Sequence, residues 1–100
     1  MLTIEEIKAR VTPICEKYKI DRMWLFGSYA RGEADEKSDV DLCFEGGELH
    51  YDWGVSDFEE AIEEVLKMPF DLLNRKILSK RFLRHMKEDE VLIYARNQTD

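Results

Sequence analysis

Apolar residues recur at Ile4, Ile7, Val11, Ile14 and Tyr18, the spacing of one helix face. Thr3 and Glu6 have the form of a capping box at the head of this run, which predicts a first helix from about Ile4 to Tyr18. Pro13 falls inside it and removes one backbone hydrogen bond, so a kink or a local restart is expected there. The period then changes. Arg22 to Phe26 is a compact apolar run ended by Gly27 and reads as a strand. Ser28 to Arg31 is predicted as a short helix stopped by Gly32, with Glu33 to Lys37 as a charged loop. From Asp39 to Phe44 the pattern alternates: Val40, Leu42 and Phe44 fall on one strand face, Asp39 and Asp41 on the other.

Gly46-Gly47 closes that strand, and Glu48 to Gly54 reads as a loop carrying His50, Tyr51 and Trp53. Ser56 to Glu59 has the form of a second capping box, heading a helix with Phe58, Ala61, Ile62, Val65 and Leu66 on one face and Pro69 beyond its end. Phe70 to Leu73 is predicted as a third strand, with Phe70 and Leu72 facing a core and Asp71 facing away. Ser79 caps a last predicted helix, Lys80 to about Glu88, with Phe82, Leu83 and Met86 inward. Val91 to Tyr94 is a final strand, and Asn97 to Asp100 a polar tail.

The stretch from Leu25 to Leu42 carries the candidate chemistry. A strand that turns at Gly27-Ser28 into a helix N-terminus offers backbone N–H groups to an anion. Ten residues separate Ser28 from Asp39, and Asp41 follows two positions later; the two are hard oxygen donors on a common strand face. Such a pair suits Mg²⁺, which is typically bound by one or two carboxylates plus substrate phosphates. If the second and third strands are neighbours in suitable register, Asp71 joins the same surface. Asp39 and Asp41 would then hold two Mg²⁺ ions against a triphosphate, and Asp71 would hold the ion nearer an acceptor hydroxyl and help deprotonate it. Ser28 and the Gly27 backbone would bind phosphate, with Arg31 close enough to pair with it. Taken singly, each feature has a plainer reading: a solvated acidic turn, a helix cap, or an ion pair of Arg31 with Asp35 or Glu36. Their order along the chain favours phosphoryl or nucleotidyl transfer.

Length and charge narrow the picture. One hundred residues make a single domain, 1–100, with a modest core and no room for a second, substrate-recognising domain. The formal net charge of −7 argues against general affinity for nucleic acid. No apolar run is long enough to span a membrane, and the N-terminus lacks a signal peptide's apolar core, so a cytoplasmic protein is expected. Cys15 and Cys43 lie far apart with no metal-ligand spacing, and read as buried thiols of a reducing compartment. Arg75, Lys76, Lys80 and Arg81 form a basic cluster that could face triphosphate, an acidic partner or solvent. Tyr51 and Trp53 could stack a base or meet a partner, or simply pack their own loop.

Gly27-Ser28, ten residues, then Asp39-Val40-Asp41 resembles the signature of the DNA polymerase β-type nucleotidyltransferases. The longer string LFGSYARG…SDVDL resembles the minimal nucleotidyltransferase (MNT) branch, more loosely through PFDLL, where Phe70 stands in place of a usual β-branched residue. The resemblance implies an α/β (α+β) nucleotidyltransferase fold, a small mixed β-sheet with helices packed mainly on one face. It also implies an antitoxin partner of HEPN ribonuclease toxins. Such a protein transfers AMP from ATP to a tyrosine hydroxyl of the toxin, with Asp39, Asp41 and Asp71 as metal-binding catalytic residues and Gly27, Ser28 and Arg31 on the nucleotide. Two alternatives stay open: a small-molecule or nucleic-acid hydroxyl as acceptor, or a binding module that neutralises its partner by occlusion.

Overall fold

The computed structural model describes residues 1–47 and 54–96; the expectations for His50, Tyr51, Trp53 and the polar tail lie outside the described residues. Helix α1, Ile4–Lys17, begins on the expected capping box: the Thr3 hydroxyl accepts from the Glu6 N–H, and Glu6 accepts from the Thr3 N–H. The helix passes through Pro13 without the expected restart, because Pro13 is exposed and only one ladder bond is lost. Ile7, Val11 and Cys15 form its buried stripe.

Strand β1, Arg22–Phe26, leads into the short helix α2, Gly27–Arg31, which stops at Gly32 in the left-handed conformation (φ 73°). Strand β2 spans Val40–Glu45. It starts one residue later than expected, so Asp39 sits exposed just ahead of the strand rather than on its face. Helix α3, Gly54–Leu66, also departs from the expected boundary: Ser56 lies inside it, after the already helical Gly54, instead of capping it. Gly54, Phe58, Ile62 and Leu66 are all buried at four-residue intervals, so the inward stripe itself extends one turn earlier than the polar cap pattern suggested. Strand β3, Phe70–Asn74, continues through a single 3-10 turn at Arg75–Ile77. Helix α4, Lys80–Lys87, is capped by Ser79, and strand β4 spans Val91–Ala95.

The four strands form one mixed sheet in the order β3-β2-β1-β4. β1 is antiparallel to both β2 and β4, while β2 and β3 run parallel. A bulge in the β1–β4 ladder leaves Ile93 as the extra residue, and its side chain is buried. Alternation divides the sheet into two faces. Met23, Leu25, Val40, Leu42 and Phe44 pack beneath α1 and α3 with Phe58 and Ile62 as the main core. Trp24, Cys43 and Leu73 look the other way and are covered by Met86 and Leu83 of α4. Both cysteines are free and buried, and burial pushes their thiols up, Cys15 to about 12 and Cys43 to about 11. They are packing residues, as read from the sequence.

Two surface expectations change. Phe82 was placed inward, but it is 40% exposed, because Leu83 and Met86 already fill the narrow contact between α4 and the sheet. Arg75 leaves the expected basic cluster: it lies 3.9 Å over the Trp24 ring and pairs with Glu90 at 2.9 Å, both partners mostly buried. Breaking a largely buried ion pair leaves an uncompensated charge. Arg75→Ala is therefore expected to cost about 2–3 kcal/mol in urea unfolding.

Candidate active site

The parallel β2–β3 register sets Asp41 directly beside Asp71. Paired residues in a ladder point to the same face, so the two carboxylates stand side by side, on the face away from α1 and α3. Asp41 is half-buried and Asp71 exposed. The consequence is electrostatic. Burial first, then the charge of Asp71 and a hydrogen bond to it, then the charge of Asp39, push the Asp41 carboxyl up to about 6. Arg31 acts in the opposite sense. Asp39 therefore lies near enough to be felt, although it precedes the strand.

Gly27 closes the other side of Asp41. Its backbone has φ 76°, and a Cβ there would collide with the Asp41 carboxylate oxygen Oδ2. The glycine thus serves two needs, a left-handed turn between β1 and α2 and room for a carboxylate against the backbone. Ser28 follows in the first turn of α2, where N–H groups lack intrahelical acceptors. Five of the six residues singled out from the sequence (Gly27, Ser28, Asp39, Asp41, Asp71) therefore cluster where β1 ends and β2 and β3 begin. Arg31 lies one turn on, at the end of α2, with its guanidinium engaged: it donates to Glu33 and to Asp89, each at 2.6 Å. These two acids hold it firmly charged. They differ from Asp35 and Glu36, the partners considered from sequence.

Among the described residues, no three carboxylate, imidazole or thiolate groups converge into a ready-made metal cage. The donor chemistry nonetheless fits a divalent cation. Asp41 and Asp71 are two hard oxygen donors in mutual repulsion, which a cation would relieve, and substrate phosphates and water complete such sites. A groove lies elsewhere, lined by Glu59, Glu60, Glu63, Glu64 and Phe70 on the α3 side of the sheet. Its glutamates would repel a triphosphate.

One residue beside the carboxylates escaped the sequence reading. Phe26 is the direct partner of Asp41 in the antiparallel β1–β2 ladder. Its position immediately before Gly27 was visible, but the register that aligns it with Asp41 was not.

The family model for the polymerase β nucleotidyltransferase domain matches residues 9–99. The chain belongs to the polymerase β-type nucleotidyltransferase family. It is 35% identical over 102 residues to a Methanocaldococcus jannaschii protein provisionally named a protein adenylyltransferase, covering 95% of this chain and 100% of that one. It is 31% identical to the protein adenylyltransferase MntA of Thermococcus cleftensis, covering 93% and 98% of the two chains. Among solved structures, this nucleotidyltransferase superposes with a TM-score of 0.70 on a chain from the complex of a tri-AMPylated Shewanella oneidensis HEPN toxin with its MNT antitoxin. That match covers 96% of this chain and 76% of the other at 13% identity, a likeness of fold. The resemblance read from Gly27 to Asp41 thus extends over nearly the whole chain, and the nucleotidyltransferase is a mixed α/β protein as expected. α4 on the second sheet face qualifies the helices-on-one-face picture. Among the described residues, no helix is long and apolar enough to cross a membrane.

Proposed function

We propose that this nucleotidyltransferase moves AMP from ATP to a hydroxyl of a partner protein, a tyrosine of a HEPN-type ribonuclease toxin, and so acts as an antitoxin working as one minimal domain in the cytoplasm. The observation that carries the chemistry is the in-register pair Asp41–Asp71 set against the Gly27 turn. Similarity to MntA supports a protein acceptor, and the fold neighbour in a toxin–antitoxin complex supports a HEPN partner.

In this reading Gly27 and Ser28 bind the β and γ phosphates through backbone N–H groups and the Ser28 hydroxyl. Arg31 biases the same region positively. Asp39, Asp41 and Asp71 would hold Mg²⁺, two ions in the full site; these supply charge neutralisation for the triphosphate and a more acidic acceptor hydroxyl. Asp71, the exposed member of the pair, faces the acceptor and receives its proton. The acceptor oxygen bonds to the α-phosphorus as the bond to pyrophosphate breaks.

The direct test incubates the purified protein with ATP, Mg²⁺ and a HEPN partner and reads the partner by intact mass. Addition of AMP-sized increments is expected, with loss of the partner's ribonuclease activity, and chelation of the metal is expected to stop both. Neutralisation without any mass change would replace transfer by occlusion. Labelling of small hydroxyl compounds or nucleic-acid ends without a protein partner would change the acceptor class.

A further inference from the structure

The sheet face that carries Asp71 and Asp41 continues across β1 to Phe26. The Phe82 ring stands on Phe26, edge to face, with centroids 6.2 Å apart and planes at 85°. Phe82 is a large apolar side chain left 40% exposed, yet it is firmly held. Its N–H donates to the capping Ser79 hydroxyl at 3.1 Å, and the neighbouring Leu83 and Met86 anchor α4 to the sheet. A fixed, half-exposed aromatic ring beside a phosphate-chemistry site is a preorganised platform for a planar group.

We infer that Phe82, seated on Phe26, is a nucleotide-binding residue that stacks the base of the bound nucleotide. This rests on the nucleotidyltransferase reading above and deepens it. Order along the sheet chooses the base over the acceptor. Asp71 lies on one side of Asp41, on β3, and is assigned to the acceptor hydroxyl; Phe26 and Phe82 lie on the opposite side, toward β1 and α4. Stacking on an aromatic ring tolerates any base, so the platform adds affinity for the nucleoside without demanding one edge pattern.

The experiment compares binding of a non-hydrolysable ATP analogue and of inorganic tripolyphosphate, both with Mg²⁺, to the intact protein and to Phe82→Ala, Phe82→Leu and Phe82→Trp. Phe82→Leu keeps apolar packing on Phe26 while removing the ring. Loss of one stacked base typically weakens binding by about tenfold or more, and that is expected for the analogue with Phe82→Ala and Phe82→Leu. Tripolyphosphate affinity should be unchanged in both, which also certifies the fold, and Phe82→Trp should retain analogue binding. Unchanged analogue affinity in the Ala and Leu variants would overturn the inference while leaving the transferase reading intact. So would equal weakening of tripolyphosphate, or an effect confined to the acceptor's KM, which would put the acceptor's ring on Phe82 instead. A wild-type protein that neither binds the analogue nor transfers AMP overturns both.

Discussion

Asp41→Asn is expected to abolish transfer and, at the same time, to stabilise the metal-free protein. Removing one charged group that acts on the transferring phosphate costs on the order of a hundredfold to a thousandfold in turnover, and Asp41 is the central carboxylate of the site. The stability change has its own sign. The Asp41 carboxyl rises from 3.8 to about 6 in the folded chain, through burial, Asp71 and Asp39 in that order. Between those values the folded state binds more protons than the unfolded one, so stability falls as pH rises through this window and levels off above it. Asn cannot ionise, so the variant escapes that loss. Asp41 is only half-buried, and solvent screening reduces the benefit to about 1 kcal/mol at pH 7.5. In a domain of this size that raises the Tm by roughly 4–8 °C. As the pH falls below the unfolded value of 3.8 the two melting temperatures should converge, since Asp41 becomes protonated in both states. Thermal melts across pH 3.5–8 without metal check this, and Mg²⁺ should raise the wild-type Tm more than the variant's. A variant that melts lower than wild type at pH 7.5 would remove the electrostatic account of the pair.

The combination of lost activity and gained stability distinguishes a functional carboxylate from a structural one. A carboxylate retained for the fold would be expected to lower stability on removal. Here the environment penalises the charge: Asp41 has like-charged neighbours in Asp39 and Asp71, and Arg31 offsets them only in part. A chain that keeps such an arrangement keeps it for a ligand that is positively charged or brings positive charge.

Much of this was legible along the chain because it depends on alternation. Val40, Leu42 and Phe44 against Asp41 is a two-residue period, and a two-residue period assigns faces before any partner strand is known. Asp71 could be placed opposite its own core-facing neighbours, Phe70 and Leu72, by the same rule. What the alternation could not supply was register. That Asp41 meets Asp71 across one ladder and Phe26 across the other is a property of three strands together. Long-range ion pairs were hidden for a related reason. Arg31 finds Asp89, 58 residues away, and Arg75 finds Glu90, because α4 folds back over the sheet face and the chain then returns to pair β4 with β1. Local charge patterns offered only Asp35 and Glu36 for the first and an open basic cluster for the second. The boundary of α3 was missed because a polar cap pattern at Ser56 competed with a buried glycine, and burial of the Gly54 stripe won.

Gly27→Ala is expected to cost activity by at least about a hundredfold, and here fold and chemistry fail together. Alanine at φ 76° is strained by about 1–2 kcal/mol. The added methyl would also collide with Asp41 Oδ2, with the same side chain's Cγ at 3.1 Å and Cβ at 3.4 Å behind it, so the carboxylate or the turn must move. Two responses are open to the protein. The turn can shift, which displaces Ser28 and the α2 N-terminus from the phosphates. Or Asp41 can rotate away, which separates it from Asp71. Either displacement is of the order of an ångström, enough to lose a large factor in a reaction that depends on positioning. The contrast with Gly32 isolates the steric part. Gly32 has nearly the same φ, 73°, but a Cβ there meets no atom within 4 Å. Gly32→Ala should therefore show a similar loss of stability in denaturant and leave transfer close to wild type. Equal losses of activity in the two variants would mean that backbone strain alone governs the site, and the close approach of Gly27 to Asp41 would lose its catalytic meaning.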